Sequence, residues 1–283
     1  MLGVKSMENK KIKIINLVEN TDGKNGCEYE HGFSFYIETP KHKLLVDSGA
    51  TDMFLRNGEK LQIDLEHIDT LILSHGHYDH AGGIIPFSKR NTKANIYMQK
   101  TAGEDYYSIT NETEKYIGID KEILELPQTI LVNQDRRIDD ELFLFSNITG
   151  RKYFAKGNLR LKKKTEEGLV QDNFEHEQCL VITVEKMSIL VSGCAHNGIL
   201  NILERYYEIF QSYPHVVISG FHTMQKEPYS KQEIQNIENM AKELLDTKAV
   251  FYTGHCTGAE AYEIMKKIMG EKLQWVHSGT RIK

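Results

Sequence analysis

Apolar and polar residues alternate in short blocks along the first hundred positions. The runs IKIINLV (12–18), FSFYIET (33–39) and KLLVDSG (43–49) are rich in β-branched and aromatic residues and separated by Gly- and Pro-containing turns, which predicts a β-meander. In DMFLRNGEKLQI the apolar positions Met53, Phe54, Leu61 and Ile63, with polar residues between them, predict a short helix capped by Asp52. DTLILSHG then reads as a buried strand and NIYMQ (95–99) as another. Between about 101 and 172 the pattern is polar and broken, with EILEL, the apolar stretch 129–132, ELFLFSNI and the basic run RLKKK (160–164), so this part reads as an insertion. From position 179 the order is strict: strands CLVITVE and MSILVSG, helix NGILNILERYYEIFQ, strand HVVISGF, helix KQEIQNIENMAKELL, strand AVFYTGH, helix GAEAYEIMKKIM and strand LQWVHS. Such alternation predicts an α/β (α+β) protein with helices covering a sheet. With no repeat and no low-complexity linker, 1–283 is expected to be a single domain carrying its insertion as a cap.

Composition narrows the function. The chain has 283 residues, 40% of them hydrophobic, enough to bury a substantial core. The balance of 35 Lys+Arg against 40 Asp+Glu gives a net charge of -5, so no basic field collects nucleic acid or an anionic membrane, and a small-molecule substrate is the expected partner. No run approaches the ~18 apolar residues of a membrane span, and MLGVKSMENKKIKIINL lacks an apolar core followed by a cleavage site, which predicts a cytoplasmic protein. The four widely spaced cysteines fit reduced thiols better than a disulfide framework. Composition leaves open whether the chain forms a homo-oligomer.

The chemistry concentrates in LSHGHYDHAGG (73–83), which places His75, His77, Asp79 and His80 within six positions directly after an apolar run. In a loop at the end of a buried strand those side chains can converge on one point, whereas in a helix they would fan out. Imidazoles and a carboxylate suit Zn²⁺, Mn²⁺ or Fe²⁺. His75 and His77 are expected to bind one ion and Asp79 and His80 to begin a second site. Two divalent ions about 3.5 to 4 Å apart would share a water and lower its pKa. A solvated, histidine-rich loop is the plainer alternative, and the number of ligand-type residues in so short a stretch argues against it.

Further ligands are expected where an apolar run ends in glycine and a ligand-type residue: ILVSGCAHNG offers Cys194 and His196, VVISGFH offers His222, and VFYTGHCTG offers His255. LLVDSG places Asp47 as an acceptor for a ligating imidazole. His222 is as readily a histidine tied to a neighbouring loop. RLKKKTEE reads more simply as a solvated charge run than as a phosphate trap. Tyr106, Tyr107 and Tyr116 line a ring pocket or merely pack the cap. Cys256 invites comparison with a Cys/His nucleophile, but adjacent strand residues point to opposite faces. His42, His67, His215 and His277 have no ligand context.

LSHGHYDHAGG resembles the HxHxDH signature of the metallo-β-lactamase fold superfamily, with Asp47, the 75–80 loop, His196 and His255 in that superfamily's order. The likeness spans nearly the whole chain. EHGFSFYIET, LLVDSGA, ILVSGCAHNGILNILE, VVISGFH and YTGHCTG further resemble the dihydropteroate-synthase-like subgroup, named after an archaeal enzyme of methanopterin synthesis. The resemblance implies a metallo-β-lactamase-like αββα sandwich with a dinuclear metal centre, zinc first among the candidate metals, at one edge. It carries over to His75, His77, Asp79 and His80 directly and to His255 as the last ligand of the second site. The third ligand of the first site departs from the pattern. If Cys194 stands where the bridging aspartate usually stands, His176 or Glu177 in DNFEHEQ is the matching ligand; if His196 is that ligand, the bridge is absent or is water. The glycine-flanked turn favours His196, leaving Cys194 as a ligand or a small core residue. Only the subgroup likeness brings Glu30 and His31 toward the metal edge as substrate-binding candidates.

The expected function is a metal-dependent hydrolase that uses a metal-bound hydroxide on a small ester, lactone, amide or phosphodiester, with Asp79 or a nearby histidine such as His222 handling the proton. A pterin-processing synthase that releases pyrophosphate is the second reading. A non-enzymatic metal or redox protein is the third; diiron relatives carry Glu where His77 stands and usually a flavin domain, and this chain has neither.

Overall fold

A computed structural model describes residues 12–282; residues 1–11, which open the stretch read for a leader, lie outside them. Two seven-stranded sheets form the centre. The first runs in the order Arg281–Ile282, Lys13–Val18, Ser34–Glu38, Lys43–Val46, Thr70–Ile72, Asn95–Gln99 and Thr129–Val132. The second runs Leu273–Trp275, Val250–Thr253, Val216–Ile218, Met187–Val191, Cys179–Val184, Leu142–Phe145 and Arg136–Arg137. Each begins from an antiparallel hairpin and continues in parallel, so that successive strands end at the same edge.

The strands are apolar on both faces because both are covered. Phe35, Val46, Ile72, Leu144, Ile182, Val191 and Ile218 interdigitate between the sheets. On the outer face of the first sheet, Leu45, Leu71 and Ile96 pack against Phe54 and Phe87 of the helices Met53–Lys60 and Ile84–Arg90. On the outer face of the second, Leu190, Val217 and Phe251 pack against Ile202, Met240 and Met265 of the helices Ile199–Phe210, Lys231–Asp246 and Ala259–Met269. The result is the four-layer αββα sandwich expected.

Three expectations change. Asp52 does not cap its helix: its carboxylate pairs with Arg56, and Thr51 Oγ1 accepts the first free N–H, from Met53 at 3.1 Å. Residues 78–81 of the histidine motif form one helical turn rather than a loop, so Asp79 and His80 project from it while His75 and His77 precede it. The segment 101–172 is not one insert. Thr129–Val132 joins the first sheet and Leu142–Phe145 the second, and only the flanking parts form a separate four-stranded sheet, Gly168–Gln171, Leu161–Thr165, Tyr106–Thr110 and Thr113–Tyr116. Apolar strands this short look alike from sequence whether they belong to a cap or to a core. Among the described residues no helix is long and apolar enough to cross a membrane.

Candidate metal centre

The shared edge of the two sheets collects the strand ends. Asp47, Ala195, His222 and His255 each follow a strand closely and each has a left-handed backbone, with φ of 55°, 53°, 49° and 49°. Non-glycine residues in this region carry strain that the surrounding structure must hold, and such residues gather at functional sites.

Asp47 anchors the motif. Its carboxylate accepts the Ser74 N–H and Ser74 hydroxyl, both at 2.7 Å, and His80 Nδ1 at 2.6 Å. Because the Ser74 hydroxyl donates to Asp47, its oxygen accepts from His75 Nδ1 at 2.8 Å. His196 Nδ1 is held at 2.9 Å by Asn158 Oδ1, and His255 Nδ1 at 2.7 Å by Asn20 Oδ1. In these four imidazoles Nδ1–H is occupied, which fixes the tautomer and turns Nε2 toward the shared edge; of the four, His75 and His196 have no partner at Nε2, while His80 and His255 Nε2 meet each other. Gly193 makes room for this packing: a Cβ there would lie 2.1 Å from Ser74 Oγ and 3.0 Å from His75 Nδ1.

Two groups of donors result. Nε2 of His75, His77 and His196 are buried without a hydrogen-bond partner, and the three side chains offer ligand atoms within 4.8 Å of one another. Beside them, Asp79 Oδ2 lies 3.4 Å from His255 Nε2 and 3.9 Å from His80 Nε2, and the latter two nitrogens are 3.3 Å apart. Buried polar atoms are rarely left unpaired, so three orphaned lone pairs aimed at one point fit a cation. Burial, aided by neighbouring imidazoles, pushes His75 and His196 well below the usual histidine range, and burial brings His77 to about 3, so all three are neutral donors. Burial works against the charge on Asp79, but His80, His255 and His31 together hold its carboxyl well below the usual range.

The remaining candidates divide. Cys194 Sγ lies 3.2 Å from His80 Nε2 and, with His75, forms a third close group; burial raises its thiol. His31, half exposed, places Nε2 3.2 Å from Asp79. His222 packs its ring 4.1 Å from that of His196, with Nδ1 buried and unpartnered. His176 and Glu177, the alternative ligands, are otherwise engaged: His176 Nδ1 accepts the Gly76 N–H and Nε2 meets Asp172, while the Glu177 carboxylate accepts N–H bonds from His196 and Asn197. Both shape the loops around the ligands. Glu30 also turns away, accepting from Ala50, Thr51 and the Thr51 hydroxyl.

A cleft of about 320 Å³ opens over these groups. Its outer wall comes from the small sheet and its neighbours, with Lys115, Arg160 and Leu161, and from Lys226 opposite. Of the basic run, only Arg160 reaches the cleft with its charge; Lys162 bonds Gln171 and Lys163 pairs with Glu104. Tyr106, Tyr107 and Tyr116 do not line it, Tyr106 packing on His176 and Tyr107 on Tyr116; the tyrosine in its wall is Tyr78. Asn20 and Glu19, which positions His255 through its N–H at 2.6 Å, follow a strand as the other site residues do and were within reach of the strand-end rule. Asn158, in the single 3-10 turn Lys156–Arg160, and Phe174, in irregular chain with its ring stacked on His196 at 4.6 Å, follow no strand and carry no such signal.

Fold and donor set together place a candidate set of divalent-metal ligands at the shared strand edge. Residues 29–157 match the metallo-beta-lactamase superfamily model. The chain is 30% identical, over 96% of its own length and 96% of the other's, to 7,8-dihydropterin-6-methyl-4-(beta-D-ribofuranosyl)-aminobenzene-5'-phosphate synthase of Methanocaldococcus jannaschii. Among solved structures it is similar to a metal-dependent hydrolase of the beta-lactamase superfamily, with a TM-score of 0.81 and 30% identity over 96% of this chain and 99% of that one. It shares the fold alone with YhfI from Bacillus subtilis, with a TM-score of 0.56 and 14% identity over 96% of this chain and 100% of the other. The chain belongs to the metallo-beta-lactamase superfamily, a family of enzymes that typically bind divalent metals. These matches reach the superfamily and do not carry the narrower dihydropteroate-synthase-like label, although one relative is a methanopterin-pathway synthase.

Proposed function

We propose that this chain is a metal-dependent hydrolase acting on a small anionic ester, with a phosphodiester first among the candidates. The observation that supports it is the set of three orphaned, buried Nε2 atoms on His75, His77 and His196 beside the Asp79, His80 and His255 group, under an open cleft. The first three would hold one divalent ion and the second three another, with zinc favoured by the nitrogen-rich donors. Bound there, the ions would supply an acidified water and polarise the oxygen of the scissile group.

The chain's own residues do the rest. Asp47, Ser74, Asn158 and Asn20 hold the imidazole tautomers, so no ligand has to reorganise during turnover. Asp79 Oδ2, 3.2 Å from His31 Nε2, can pass a proton from the cleft to a side chain that reaches solvent. His222 stands over the cleft to protonate the leaving group. Arg160 and Lys226 have no acidic partner among the described residues and, with Lys115, draw an anionic substrate in. The whole-length similarity to the M. jannaschii synthase favours a second reading, a transferase that displaces pyrophosphate at the same centre.

The test is metal content per chain in wild type and His196→Ala, followed by assays of bis(p-nitrophenyl) phosphate and of pyrophosphate release. Two equivalents falling to about one, with phosphodiester turnover lost, supports the hydrolase. Wild-type metal content at or below one equivalent, unchanged by the substitution, overturns the dinuclear reading. Pyrophosphate release without water consumption selects the transferase.

A further inference from the structure

A second cleft of about 220 Å³ lies behind His222, the one residue lining both it and the metal cleft. Its walls mix ring and apolar surface, from Tyr153, Phe154, Tyr229, Ile237 and Met240, with polar side chains such as Gln225 and Asn236. The tyrosines are pre-positioned with their hydroxyls turned outward to fixed acceptors, Tyr153 to Glu243 Oε1 at 3.1 Å and Tyr229 to the Thr223 carbonyl at 2.8 Å. Their donor hydrogens are spent, so they offer a ligand ring surface and the acceptor lone pairs of their hydroxyls. At the rim, Lys156 Nζ and Glu233 Oε1 pair at 3.4 Å, so neither charge stands alone in the slot.

Gly157 lines the second cleft beside His222, the residue the two clefts share. A Cβ there would stand 3.5 Å from His222 Nε2 and meet no backbone atom closer than 3.9 Å, so a side chain could be accommodated, and it would project beside His222. Aromatic and apolar walls that also carry polar side chains, beside a candidate metal centre, are what small-molecule sites present, and methionine adapts such a wall to different ring shapes.

We propose that this second cleft is a substrate subsite for a flat, uncharged ring with a polar edge, held there while the reacting anionic group lies over the metal centre on the other side of His222. The substrate is therefore bipartite, a ring joined to an anion, and the position of His222 between the two halves sets their spacing. The identity of the anionic half rests on the function proposed above; the ring subsite does not.

The test uses metal-loaded, full-length protein labelled with [methyl-¹³C]methionine and titrated with indole, with cyclohexanol as the non-planar comparison. The expected result is a saturable shift of the Met240 methyl with indole, weaker with cyclohexanol, and none at Met265, which is buried in the core away from the cleft. Gly157→Leu should weaken indole binding about ten-fold or more with metal content unchanged. Asn236→Trp, which fills the slot from its rim, should do the same and covers the case in which Gly157→Leu misfolds. No saturable shift in wild type, or wild-type indole affinity in a folded plug variant, overturns the subsite. A saturable Met240 shift in protein that binds no metal would support the subsite while refuting the metal-centre reading, so the two fail separately.

Discussion

Replacing Asp47 by asparagine tests how the candidate metal edge is held, because Asp47 is fully buried behind the cleft and acts through its neighbours. Its Oδ1 accepts the Ser74 N–H at 2.7 Å, and its Oδ2 accepts both the Ser74 hydroxyl and His80 Nδ1, at 2.7 and 2.6 Å. An asparagine oxygen can keep the first bond, and the serine hydroxyl can rotate. The amide NH₂ then faces the His80 Nδ1–H, donor against donor, and that bond is lost in a fully buried site. A hydrogen bond to a charged group is worth roughly 1.5–3 kcal/mol, which corresponds to about ten- to hundred-fold in an equilibrium constant and agrees with the usual cost of losing a partner behind a metal ligand. Asp47→Asn should therefore weaken binding at the His80 site by about ten- to hundred-fold. Binding by His75, His77 and His196 should change far less. Competition with a chromophoric chelator, one equivalent at a time, measures both steps. Two unchanged affinities in a folded Asp47→Asn protein would refute the reasoning, since the His80 imidazole would then need no carboxylate to present Nε2.

Two further outcomes are expected away from the ligands themselves. Gly193→Ala drives a Cβ to 2.1 Å from Ser74 Oγ and 3.0 Å from His75 Nδ1, so it should lower both the melting temperature and metal content; a variant with wild-type values for both would mean that the two loops separate at little cost. His42, far from the cleft, sits between Asp69 at 3.0 Å and Asp139 at 2.6 Å; burial opposes its charge, but these carboxylates hold its pKa above the ordinary value. A base raised in the folded state contributes stability that is fully present below the unfolded value of about 6.5 and is lost as pH rises through the folded value. The stability difference between wild type and His42→Gln should thus be large near pH 6 and shrink toward pH 9, and a difference that grows with pH would contradict it.

The histidine motif and the strand-end rule made much of the edge legible, because a ligand that must sit at the end of a buried strand leaves an apolar run, a glycine and a donor in consecutive positions. His196, His222 and His255 are readable in that way and His75 from the motif itself, and the helices from 199 onward are readable from their strong 3.6-residue apolar periodicity. His176 and Glu177 stood as alternatives to the favoured His196 because residue type alone does not say which way a side chain's lone pairs are spent; the tertiary structure gives both carboxylate oxygens and both ring nitrogens to neighbouring loops. Residues 129–132 and 142–145 looked like parts of a cap because four apolar residues carry no record of which sheet they will join. Chain patterning fixes what a residue can do locally. Which nitrogens remain unpaired, which of the lysines and arginines face the cleft, and that His222 stands between two clefts all depend on contacts between segments tens to more than two hundred positions apart, as when Asn20 orients His255, and only the folded chain brings those segments together.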